Sequence, residues 1–154
     1  MIPVEAHLAL NHVPLVGVAF GIVFFVSGLT RRSSATLLAG LRVFVAMGIL
    51  ALPVVGSGLL SASALEHAAW LDADAVTGHQ RGGIVTLGVL VTLAGLSGVL
   101  LSSWRKTSAL PRWGRTATLA LALIGLGAGS WTAYLGGRLR HSELGSTRSS
   151  LNPR

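Results

Sequence analysis

The 154-residue sequence has no cysteine, few acids and a deficit of charge: 11 % of its side chains are Asp, Glu, Lys or Arg. Without Cys there is no disulfide framework, no thiolate metal site and no Cys-x-x-Cys-His attachment point for a covalent haem. Soluble domains carry roughly 25 % charged residues, so too little polar surface remains here to clothe a soluble enzyme. The first segment, Met1 to Leu10, has no basic n-region and carries Glu5, so it does not read as a cleavable signal.

What the chain has in place of charge is apolar length. Four uncharged runs extend from Ala6 to Thr30, Val43 to Leu65, Gly82 to Trp104 and Thr116 to Gly137, the shortest of them 22 residues. A helix needs about 20 apolar residues to cross the hydrocarbon core of a bilayer, and all four runs suffice. The sequence therefore predicts an all-α integral membrane protein, an up-down-up-down four-helix bundle forming one domain over residues 1–144. Its spans are expected at about 10–30, 41–65, 82–104 and 115–138, followed by a disordered polar tail over 145–154. Asn11 is a candidate cap for the first span, with Pro14 in its opening turn, and Pro53 should kink the second.

Alternating spans sort the charges onto two sides. The loops after spans one and three hold seven basic residues (Arg31, Arg32, Arg42, Arg105, Lys106, Arg112 and Arg115) and no acid. The opposite side holds Arg81, Arg138, Arg140, Arg148 and Arg154 with all five acids, Glu5, Glu66, Asp72, Asp74 and Glu143. Basic loops favour the cytoplasm and acids have little say, which places both termini in the periplasm of a bacterial inner membrane. The net charge of +7 thus reports membrane orientation and gives no reason to expect nucleic-acid binding. Trp104 and Trp113 flank the basic side, and Trp70, Trp131 and Tyr134 the other, as interfacial belts do.

Small residues recur within the spans: Gly17 and Gly21, Gly56-Ser57-Gly58, Gly82-Gly83, and Gly125 to Ser130. In lipid, small residues let helix backbones approach closely. Ionisable residues at mid-depth, the mark of an ion path, are missing, and no Ser-His-acid spacing suggests hydrolysis.

All five histidines, His7, His12, His67, His79 and His141, fall on the side of the termini. His79 shares a helical stripe with Gly82, Gly83 and Thr86, His67 with Ser63, Leu60 and Gly56, and His141 with Gly137, Tyr134 and Ser130. Imidazole is the commonest biological metal ligand and an axial ligand of haem. Bundles build such sites from facing helices. These histidines are candidate metal ligands, and His12, His67, His79 and His141 candidate haem ligands. Opposite corners of the bundle pair His12 with His79, or His67 with His141. Arg81, Arg138 and Arg140 stand where haem propionates would want guanidinium partners. Lone interfacial histidines with no ligand, and arginines paired with the nearby acids, are the plainer alternative.

The opening His7-Leu-Ala-Leu-Asn-His12-Val-Pro14 and the closing Gly136-Gly137-Arg138-Leu139-Arg140-His141-Ser142-Glu143 resemble a bacterial family of four-helix membrane proteins, the domain-of-unknown-function 2231 type. Leu8 and Val13 depart from that family's Pro and Phe. The likeness covers residues 7 to about 144 and extends to His67 and His79. It implies an association with cytochrome c domains and so with electron transfer.

The leading expectation is a membrane electron carrier holding one b-type haem near the periplasmic face, as a subunit or partner of a respiratory or cytochrome c complex, with quinone as a further contact. The alternatives are a non-haem Cu, Zn or Fe site in the same place, with Glu66 or Glu143 as an added donor, or a purely structural subunit of a larger complex. On each reading the protein is a carrier or subunit rather than a stand-alone enzyme.

Overall fold

A computed structural model describes residues 7, 10–64 and 73–150, with the side chains of 7, 10–61 and 74–137. Four helices account for nearly all of it: α1 (Val13–Thr30), α2 (Ser34–Ala64), α3 (Ala73–Thr107) and α4 (Arg112–Ser150). Each is long and apolar enough to cross a membrane. The described residues contain no strand.

Three of the helices, α2, α3 and α4, outrun the uncharged stretches that foretold them. At 1.5 Å per residue, the 35 residues of α3 extend about 50 Å, against roughly 30 Å of hydrocarbon. Leaving the lipid removes no intrahelical hydrogen bond, so each helix continues until its backbone is turned. α4 runs to Ser150, past Gly145, where a polar tail was expected; propagation adds one hydrogen bond for each residue fixed, and the next proline is Pro153. Pro53 lies inside α2 without ending it.

The α1–α2 turn has identifiable causes. Arg31 N–H donates to Ser27 O at 3.0 Å and Ser33 N–H to Gly28 O at 2.9 Å, while Arg32 takes φ 54°, the left-handed residue of a Schellman end. The Ser33 hydroxyl then caps α2, accepting from Thr36 N–H at 3.4 Å. At the start of α1 the expected Asn11 cap does not form. The N-cap is His12, in right-handed helical conformation and without a side-chain hydrogen bond, and Asn11 Oδ1 is buried without a partner. A preceding helical turn, closed by Asn11 N–H to His7 O at 2.9 Å, feeds straight into α1. A side-chain cap requires an extended N-cap backbone, and that turn removes it.

Consecutive helices pack side by side, and α1 closes against α4, so the helices form a ring. Glycines set the registers. Gly17 faces Met47 and Gly21 faces Phe44 across α1 and α2; Gly48 lies against Leu90 and Ala94; Gly114, Gly125 and Gly129 meet Leu100, Leu90 and Leu15. At others in the expected stripes, Gly56, Gly83, Gly127 and Gly137, an added Cβ would meet nothing within 4 Å among the described residues.

Phe25, Phe44, Leu41, Leu93 and Ala122 are completely buried, together with Ser97 and Thr118. Outside lie Phe20, Ile49, Leu60 and Val99, each more than half exposed. The core is apolar as in a soluble bundle, and it is the large apolar side chains on the outside that match a solvent that is itself apolar.

Candidate functional site

The short turn before α1 and the N-terminal end of α3 bring two imidazoles together. The ring centroids of His7 and His79 are 6.2 Å apart with their planes at 80°. Both rings are half-buried.

A neighbouring backbone carbonyl fixes each ring. His79 Nδ1 lies 3.0 Å from Thr132 O on α4, and His7 Nδ1 lies 3.1 Å from Val54 O on α2. A carbonyl oxygen only accepts, so Nδ1 carries the proton in both rings. In the neutral imidazole the lone pair is then on Nε2. Metal-ligating histidines are held in the same way, donating from the second ring nitrogen to a carbonyl or carboxylate. Ser57 adds a contact: its hydroxyl donates to Val54 O at 2.8 Å, leaving its oxygen 3.4 Å from His7 Nδ1 as a second acceptor.

Glycine makes both approaches possible. A Cβ on Gly58 would stand 2.8 Å from His7 Cε1, and one on Gly136 would stand 2.9 Å from His79 Cε1. Each glycine comes four residues after the carbonyl that anchors the ring, one helical turn on. With no side chain above the carbonyl, an imidazole reaches over the helix to its oxygen.

Beneath His79 the α3–α4 seam is polar. Thr132 Oγ1 donates to Ala128 O at 2.9 Å and pairs with Thr86 Oγ1 at 3.0 Å, so the Thr86 hydroxyl completes the pair as donor. Gly82 is pressed to the same hydroxyl; a Cβ there would lie 2.8 Å from Thr132 Oγ1.

The other expected site residues are placed differently. His12, expected opposite His79, is exposed at the start of α1, and the ring facing His79 is His7. His67 lies outside the described residues, and Arg138, Arg140 and His141 belong to α4 in a part where only the backbone is described. Arg81 follows His79 by two residues, a spacing that puts side chains on different helix faces. It lines a separate groove between α3 and α4. Among the described residues, no three His, Asp or Glu side chains gather as a metal-ligand group. Sequence reasoning missed the anchoring carbonyls of Val54 and Thr132; the glycines four residues beyond them were the available signal.

Comparison with protein-family models, curated proteins and solved structures finds no match for this chain.

Proposed function

We propose that this membrane bundle is an electron-transfer protein holding a single b-type haem, with His7 and His79 as its axial ligands. The observation that carries the reading is the matched pair of imidazoles, each with Nδ1–H committed to a carbonyl and Nε2 left as the ligating nitrogen. Imidazole nitrogens bind metal ions at about 2.0–2.1 Å, so two rings on one ion have centroids roughly 5–6.5 Å apart. The observed 6.2 Å falls inside that interval. Two histidines complete the axial set of a haem iron, whereas a non-haem zinc site takes three or more protein ligands. The donor count therefore favours haem over a bare Cu, Zn or Fe ion, which would need a further donor from His67, His141, Glu66 or Glu143.

A bound haem supplies one-electron exchange between ferric and ferrous iron. The chain's own contribution is orientation: Val54 O and Thr132 O hold the rings and raise their basicity. The guanidiniums of Arg138 and Arg140 are the candidates to meet propionates. The seven basic residues in and around the α1–α2 and α3–α4 turns favour the cytoplasm for that end of the bundle, which supports a periplasmic location for the histidine end in an inner membrane. A periplasmic cytochrome c or another respiratory subunit is then the natural electron partner, as the family resemblance implies.

The test is a dithionite-reduced minus oxidised visible spectrum of protein produced with haem available, combined with metal analysis. A sharp α-band is expected, lost in His7→Ala and in His79→Ala and kept in His12→Ala. Stoichiometric Cu, Zn or Fe without an α-band would replace haem with a bare ion. Neither haem nor metal in a folded protein would overturn the reading and leave a structural subunit.

A further inference from the structure

The groove beside Arg81 adjoins the imidazole pair through Thr132, whose carbonyl anchors His79 and which also lines the groove, but the rest of its lining points to a different ligand. It encloses about 370 Å³ between α3 and α4, with Gly78 and Gly82 on one side and Val85, Ala128 and Leu135 along its walls. The Arg81 and Trp131 side chains line it as well. No acidic side chain contributes to the lining, and among the described residues Arg81 has no ion-pair partner. Apart from Arg81 and Thr132 the lining side chains are apolar, so the groove is largely apolar and cationic at one place.

Its depth follows from the sequence. Arg81 is the last charged residue before the uncharged run from Gly82 to Trp104, which puts its guanidinium at headgroup level. Trp131, 61 % exposed, stacks with Tyr134 at a centroid distance of 5.6 Å, and such aromatic pairs gather at the same interface. Gly78 provides the room: a Cβ there would meet nothing within 4 Å, so its missing side chain is open space and not a packing contact. A guanidinium at headgroup level between two helices pairs with a lipid phosphate through charge-assisted hydrogen bonds.

We propose that this groove is a binding site for an anionic phospholipid, its phosphate on Arg81 and an acyl chain along Val85, Ala128 and Leu135. The apolar walls select a lipid over free phosphate, and a guanidinium with no ion-pair partner among the described residues favours a headgroup of net negative charge over one whose phosphate is offset by its own choline. Guanidinium–phosphate pairing is charge-assisted and frequently bidentate, so Arg81 recognises the headgroup while the walls hold the tail.

Native mass spectrometry of the full chain, released from nanodiscs of phosphatidylglycerol and phosphatidylcholine in equal amounts, tests the assignment. Phosphatidylglycerol adducts should predominate by about fivefold, the ratio for roughly 1 kcal/mol of net charge–charge attraction at a water-exposed site. Arg81→Gln should abolish the preference and Arg81→Lys should keep part of it. Gly78→Leu starts from a Cβ that meets no neighbour and extends into the groove; it should reduce adducts of both lipids, with thermal stability equal or slightly higher. Equal retention of the two lipids by the unaltered protein would overturn the proposal. So would an undiminished preference in Arg81→Gln, or persistence of the adduct in a folded Gly78→Leu protein.

Discussion

The ring centroids of His7 and His79 lie 6.2 Å apart with their planes nearly perpendicular, and each ring is seated by the same device. A ring nitrogen donates to the carbonyl of residue i on an adjacent helix, and a glycine at i+4 leaves the ring its path: Val54 with Gly58 for one, Thr132 with Gly136 for the other. The two anchorages are independent in sequence and alike in geometry. Both rings present the same nitrogen, Nε2, as the unprotonated one, which is what a shared ligand between them requires.

Gly136→Ala separates this seating from helix propensity. Alanine raises helix propensity by up to about 1 kcal/mol, but its Cβ would overlap the His79 ring. Overlap and the lost Thr132 hydrogen bond together outweigh the gain, for a net loss of about 1–3 kcal/mol in thermal unfolding. Retention of any bound haem or metal should fall with it. Gly83→Ala, at a glycine with open space around it, is the control and should leave stability equal or up to about 1 kcal/mol higher.

Ser97 and Thr118 are fully buried, and neither hydroxyl has a hydrogen-bond partner. Both lie between the Leu100–Gly114 and Leu90–Gly125 contacts of α3 and α4, deep in the bundle. A buried hydroxyl without a partner costs free energy, so Ser97→Ala and Thr118→Val should be neutral or stabilise by up to about 1 kcal/mol. Equilibrium unfolding in mild detergent reads the difference; a loss above about 1 kcal/mol would mean that the hydroxyls are satisfied in the membrane.

Ser108 follows α3 with φ 53°, a left-handed conformation that costs an L-residue roughly 1–2 kcal/mol. Ser108→Gly removes that strain and adds some unfolded-state freedom, for an expected net gain of about 0.5–1 kcal/mol. The thermal midpoint should rise, with any α-band unaltered. A fall would show that the serine side chain itself holds the α3–α4 turn.

The spans were legible in the sequence because lipid imposes one strong rule: about 20 residues without charge, with every backbone group bonded internally. Gly17, Gly21 and Gly125 announced close helix contacts for the same reason. The imidazole pairing was not legible. Opposite-corner reasoning drew His12 toward His79, but His7 and His12 are five residues apart, and only the turn closed by Asn11 N–H on His7 O decides which of them reaches the bundle. Nor does a pattern of side chains reveal that a carbonyl such as Thr132 O has room for a second donor, since that depends on how closely α3 approaches α4 at Gly136. Asn11 illustrates the same limit: it has the composition of a cap and lacks the backbone conformation for one.

The ring of helices divides into two antiparallel hairpins, and each hairpin finishes its own half of the candidate centre. His7 leans on α2 and His79 on α4, so both imidazoles can be oriented before the halves dock. Transmembrane helices form first and associate afterwards; here the ligand geometry would be prepared at the earlier stage and joined only at the later one. Any ion or macrocycle spanning the junction then acts as a clasp, strengthening assembly in proportion to RT ln(1 + [L]/Kd). Occupancy of that junction and the tertiary docking of the two hairpins would then be one linked equilibrium.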